Sequence, residues 1–119
     1  MALKQPDKAR VSFDDLEFAT NTAEDIYSYS GQLFTGYAVH GYYPNGQVLA
    51  EEEFRNGIVQ GWVNEYYQSG QIKRESLVYL GPYSIAYYEY DVNGNQISGG
   101  LLVSQQEYNQ LTSQYHLLD

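Results

Sequence analysis

The sequence predicts an all-β protein with a minor helix: an antiparallel meander of repeated β-hairpins capped by a short C-terminal α-helix. Three observations lead there. Gly46, Gly70 and Gly94 recur 24 residues apart, each four residues after a tyrosine (Tyr42, Tyr66 and Tyr90). A second beat, Asn56-Gly57 and Leu80-Gly81, repeats at the same spacing. Glycine supplies the positive φ that a reversing chain needs, so both beats read as turns, and fixed self-similarity at this period marks a repeat array. The third observation is 14 tyrosines in 119 residues, a residue type suited to a half-buried pleated surface.

In chain order, residues 1–25 read as a lead-in and N-terminal cap, 26–98 as the hairpin repeats, and 99–119 as a capping helix, all in one domain. Met1–Arg10 is polar and reads as a loose lead-in. Val11–Phe18 fits a short strand or irregular cap, and Ala19–Asp25 a loop. Ile26–Ser30 is β-prone and ends at Gly31; the stretch Gly31–Gly36 resembles Gly57–Trp62 with one residue added, so the array begins half a unit before Gly36. Strands follow over Tyr37–Tyr43, Gln47–Arg55, Trp62–Tyr67, Ile72–Tyr79 and Ala86–Tyr90, joined by short turns. The third unit is degraded: Ile85-Ala86 stands where Gly61-Trp62 stands one unit earlier, and Pro82 implies an edge, a bulge or a wider turn. Gly99-Gly100 reads as a break. Ser104-Gln105-Gln106-Glu107 is a capping-box pattern, and Tyr108, Leu111, Tyr115 and Leu118 lie on one apolar face of the helix that follows.

Fifteen acidic and six basic side chains give a formal charge of −9. Nothing gathers the cations that nucleic acid or an anionic membrane would need, so neither is an expected partner; a basic one is. The absence of cysteine excludes disulfides and thiolate chemistry, and no apolar stretch reaches membrane-spanning length, so a cytoplasmic protein is expected. No catalytic constellation, metal site or cofactor-binding motif emerges. His40 and His116 pair with no nucleophile, and the glycines lack the lysine of a phosphate-cradling loop. On a strand, Glu51 and Glu53 share one face and Glu52 the other; they read as a solvated strand face whose charges keep sheets from aggregating, rather than as a cation site. Asp14-Asp15-Glu17 reads as a solvated turn.

The units Gly36-Tyr37-x4-Tyr42-Tyr43-x2-Gly46 and Gly61-Trp62-x3-Tyr66-Tyr67-x2-Gly70 resemble the MORN-repeat variant family. Phe34-Thr35-Gly36-Tyr37 with Tyr43-x-Asn45-Gly46-Gln47 is similar, more narrowly, to its branch of antitoxin or immunity proteins from bacterial polymorphic toxin systems. The likeness spans Ile26 to Ser98. It implies a hairpin array that presents a surface and does no chemistry: a protein that binds and neutralises a cognate toxin, the alternative being a structural scaffold module without a toxin partner. The acidic charge would steer it to a basic toxin domain such as a nuclease. The contact residues expected are Tyr42, Glu51, Glu53, Trp62, Glu65, Tyr66, Tyr67 and Glu89, since aromatic side chains anchor interfaces. A sheet with aromatics on both faces could equally pair with a second copy.

Overall fold

The computed structural model describes residues 5–18 and 26–119. It is an all-β fold with one C-terminal helix. The strands are β1 (Arg10–Ser12), β2 (Glu17–Phe18), β3 (Tyr27–Tyr29), β4 (Gln32–Leu33), β5 (Gly36–Tyr42), β6 (Val48–Arg55), β7 (Ile58–Tyr66), β8 (Ile72–Tyr79), β9 (Tyr83–Tyr90) and β10 (Gln96–Leu101). The helix α1 spans Gln105–Gln114. Strands β5 to β10 form a continuous antiparallel meander, with β1 added in parallel outside β5 to complete a seven-stranded sheet. A separate sheet of three strands holds β2, β3 and β4. The loop read over Ala19–Asp25 lies outside the described residues.

Both glycine beats are turns. At Ser30-Gly31 and Asn56-Gly57 the two loop residues have positive φ (51° and 83°, then 51° and 86°), the geometry whose twist matches that of paired strands. Leu80-Gly81 keeps this geometry, and Pro82 widens that loop by one residue before Tyr79 and Tyr83 pair. At the other end of the sheet the turns repeat in hydrogen bonding. Tyr43, Tyr67 and Asp91 each donate their amide across the loop to residue 47, 71 or 95 and accept from Gly46, Gly70 or Gly94. The degraded third unit therefore keeps its hairpin.

Neighbouring units are also stitched side to side. Tyr43 donates its hydroxyl to the Tyr66 carbonyl at 2.7 Å, and Tyr67 does the same to the Tyr90 carbonyl at 2.8 Å. At the next repeat position Asp91 folds back on its own loop instead, accepting from the Asn93 and Asn95 amides.

Several expectations change. The half unit Tyr27–Leu33 forms a hairpin but leaves the meander for the small sheet, and Phe34, 5% exposed, packs on Phe54 where the chain passes between the two. Gly99-Gly100 is no break; both residues lie within β10, opposite Tyr88 and Tyr87, with φ of 118° and 153°. An added Cβ at Gly99 would meet the Tyr87 carbonyl oxygen at 2.2 Å, so the glycine permits the strand's close approach. Finally, Gln5–Arg10 is not loose: it is held across the sheet by side-chain hydrogen bonds.

One core, on the face of the sheet that carries Trp62 (the inner face), gathers Tyr37, Trp62, Leu77, Ile85, Ala86 and Leu117. Helix α1 closes it with Tyr108 and Leu111, followed by Tyr115. Ser104 caps the helix by accepting the Glu107 amide at 3.1 Å. Leu118, read as part of the apolar face, is 48% exposed; the chain turns after Tyr115, with His116 at φ 53°, and buries Leu117 instead. A smaller core on the outer face joins Phe34, Ala38 and Phe54 to Val11, Phe13 and Tyr27. No helix among the described residues is long and apolar enough to cross a membrane.

Candidate functional site: a polar row under an N-terminal strap

Strand register brings Glu51, Asn64 and Glu75 side by side across β6, β7 and β8 on the inner face. All three, with Glu53, are 0% exposed. These glutamates are thus not a solvated strand face, because the strap Gln5–Arg10 crosses above them and supplies their partners. Arg10 holds the Glu51 carboxylate with two donors, Nε at 2.8 Å and Nη2 at 3.2 Å. Asn64 Nδ2 and the Tyr66 hydroxyl donate to the same carboxylate at 2.9 and 2.6 Å. The Gln5 amide spans the row, donating to Asn64 Oδ1 and Glu75 Oε2 and accepting from Asn64 and Tyr37.

Glu53 is a second node. One oxygen accepts the Trp62 amide at 3.0 Å, and the other meets Lys8 and Arg55. Arg55 in turn donates to the carbonyls of Tyr115, His116, Leu117 and Asp119, so one carboxylate ties the strap to the C-terminal tail. Gly61 makes this possible. A Cβ there would lie 2.1 Å from Glu53 Oε1, and only glycine leaves room for the carboxylate to reach the backbone. One unit later Leu77 stands in place of Glu53 and Ile85 in place of Gly61. Without a carboxylate, the space can be filled by an apolar side chain, which explains the glycine lost from the third unit.

The tyrosine at the end of each unit reports the same logic. Tyr66 bonds Glu51 and Tyr90 bonds Glu75, each at 2.6 Å and each 15 residues from its carboxylate. Tyr42, whose partner by that spacing is Tyr27 rather than a glutamate, is 56% exposed. The electrostatics follow from these contacts. Burial pushes the Glu51 carboxyl up, but the hydrogen bonds from Arg10, Tyr66 and Asn64 outweigh it and hold the group below its ordinary value. Burial raises the Tyr66 hydroxyl, as does its bond to ionised Glu51, so it remains a donor.

The eight residues expected to meet a partner are therefore not one surface. Glu51, Glu53 and Trp62 are buried inside the chain, and half-buried Tyr66 is spent on Glu51. The indole N–H of Trp62 finds no hydrogen-bond partner among the described residues. Tyr67 is half-buried at a turn, stitched to Tyr90 with Lys73 5.9 Å over its ring. Glu65 and Glu89 lie on the outer face, flanking Arg74 in the register Glu65–Arg74–Glu89. Glu65 is exposed and Glu89 half-buried. On the same face Arg74 sits 5.0 Å over the Tyr87 ring, and Glu52 pairs with His40 at 2.5 Å. Asp14, Asp15 and Glu17 are solvent-exposed, as read.

Sequence reasoning missed Asn64, Glu75 and the strap residues Gln5, Lys8 and Arg10. A signal was present: Glu51 and Tyr66 recur one unit later as Glu75 and Tyr90. A carboxylate repeated on the same strand face as Trp62 points inward.

Among the described residues no group of three or more His, Cys, Asp or Glu side chains is placed to hold a metal ion. The chain matches no family model, no curated protein and no solved structure.

Proposed function

We propose that the protein is an immunity protein of the MORN-repeat variant type, which binds a basic bacterial toxin domain and neutralises it through its acidic outer face. One observation carries this reading. Lys8, Arg10 and Arg55, half of the six basic side chains, are spent on Glu51 and Glu53 inside the chain. With Glu75 in the same row the cluster sums formally to zero, so the net charge of −9 belongs to the rest of the molecule. An excess of one sign outside a rigid sheet favours fast capture of an oppositely charged partner and repels anionic surfaces. On the outer face, beyond the small sheet, Glu52, Glu65 and Glu89 accompany Val63 and Tyr87, a mixture of acid and apolar contact suited to such a partner.

The test is co-expression with the product of the adjacent gene, followed by affinity capture and a growth assay. The protein should co-purify with that product and relieve its toxicity. The double substitution Glu65→Lys with Glu89→Lys should weaken the complex at least about tenfold, with a shallower salt dependence. A neighbouring product that is harmless alone and does not co-purify removes the reading.

A further inference from the structure

The N-terminal strap differs in kind from everything else that covers the sheet. Gln5, Lys8 and Arg10 hold it by hydrogen bonds and ion pairs to Asn64, Glu75, Glu53 and Glu51, and Tyr37 donates to the Pro6 carbonyl at 3.2 Å. No residue from Gln5 to Arg10 belongs to either hydrophobic core; the first that does is Val11. Its backbone pairing with the meander is confined to its end, where Arg10, the first residue of the parallel β1, lies opposite Tyr37 and the Tyr37 amide donates to the Ala9 carbonyl at 2.8 Å. Lifting it away would uncover the Tyr37 ring, over which the Arg10 guanidinium lies at 4.7 Å, but would otherwise break mainly polar contacts. It would return Glu51, Asn64 and Glu75 to water together with the strap's own polar groups, so no charge is left buried and unpaired.

We propose that Gln5–Arg10 is a releasable strap, an internal ligand that leaves without unfolding the sheet and uncovers a seat for an extended basic segment of a partner. The seat's chemistry is written in its present occupant. An amide lies over Asn64 and Glu75, and two cations at alternate positions, Lys8 and Arg10, meet Glu53 and Glu51. Its backbone joins the outer edge of β5 in parallel. A competing segment would repeat this pattern: extended, with Lys or Arg at alternate positions and an amide further toward its N-terminus. Because the strap is tethered, it competes at an effective concentration on the order of millimolar, so a free peptide binds well only when the strap is weakened. This inference stands apart from the toxin reading, since a peptide alone can reveal the seat.

Two measurements on the full chain decide it. In native-state hydrogen exchange on the wild type, the Tyr37 amide, whose acceptor is the Ala9 carbonyl, should exchange at least about tenfold faster than the amides of the β7 and β8 interior. Exchange at the same rate as that interior, showing that the strap opens only with global unfolding, would overturn the proposal. In fluorescence anisotropy, a labelled peptide of residues 5–12 should bind the Lys8→Ala, Arg10→Ala double variant at least about tenfold tighter than the wild type. A control peptide with serine at its Lys and Arg positions should not bind. Equal binding to both proteins, or binding indifferent to the peptide's charges, refutes the seat. So does a double variant that cannot fold, because a releasable strap is not required for the fold.

Discussion

The inner face of the main sheet is closed in two ways, and the contrast explains how one repeat serves both. Over Glu51, Asn64 and Glu75 the cover is a polar strap from the N-terminus. Over Trp62, Leu77 and Ala86 it is an amphipathic helix from the C-terminus. The backbone beneath is the same hairpin repeated every 24 residues. Among the inward side chains, the change from Glu53 and Gly61 to Leu77 and Ile85 marks the passage from polar to apolar. A repeat fixes where strands turn; a few inward residues decide what may lie on them.

The largest break should come under the helix. Trp62→Ala removes the bulkiest buried side chain there and should cost about 3–5 kcal/mol, read as a lower midpoint in urea unfolding. If the loss stays below about 1 kcal/mol, the apolar half does not dominate stability. Gly61→Ala should come next, at about 2–3 kcal/mol, since its Cβ would intrude on Glu53 and its φ is 118°. In a Glu53→Ala background the same change should cost at least about 1 kcal/mol less, and strict additivity in that cycle would separate Gly61 from the carboxylate.

Acid sharpens the contrast by touching the polar half. The folded state holds the Glu51 carboxyl below its ordinary value of 4.5, so the stability it contributes is fully present above that pH. This contribution disappears as pH falls through the lower, folded-state value. Thermal melts should therefore show the wild type losing more between neutral and acid pH than Glu51→Gln does. Parallel curves for the two proteins would contradict the assignment. The smallest effect should be Ser104→Ala, about 1 kcal/mol from loss of the helix cap, with helical circular dichroism retained at low temperature.

Much of the architecture could be read from residue spacing. The Asn-Gly and Tyr-x3-Gly beats are local, so Gly46, Gly57, Gly70 and Gly94 announced their turns. Ser104 and Glu107 announced a helix start three residues apart. The polar row was harder, because its cations come from far along the chain: Arg10 meets a carboxylate 41 residues away and Lys8 one 45 away. Local pattern made Glu51 and Glu53 look wet, since nothing nearby pays for their burial. Only a strap folded over the sheet makes them interior, and short-range periodicity does not encode that return.

The tyrosine stitches give the array a direction, each unit being tied to the one that follows it. Tyr43 and Tyr67 each hand a hydroxyl to the next unit, and at the third position an aspartate keeps its bonds to itself. The run of stitches thus ends at the third unit, whose side chain at that position has no hydroxyl to pass on and ties down its own turn instead.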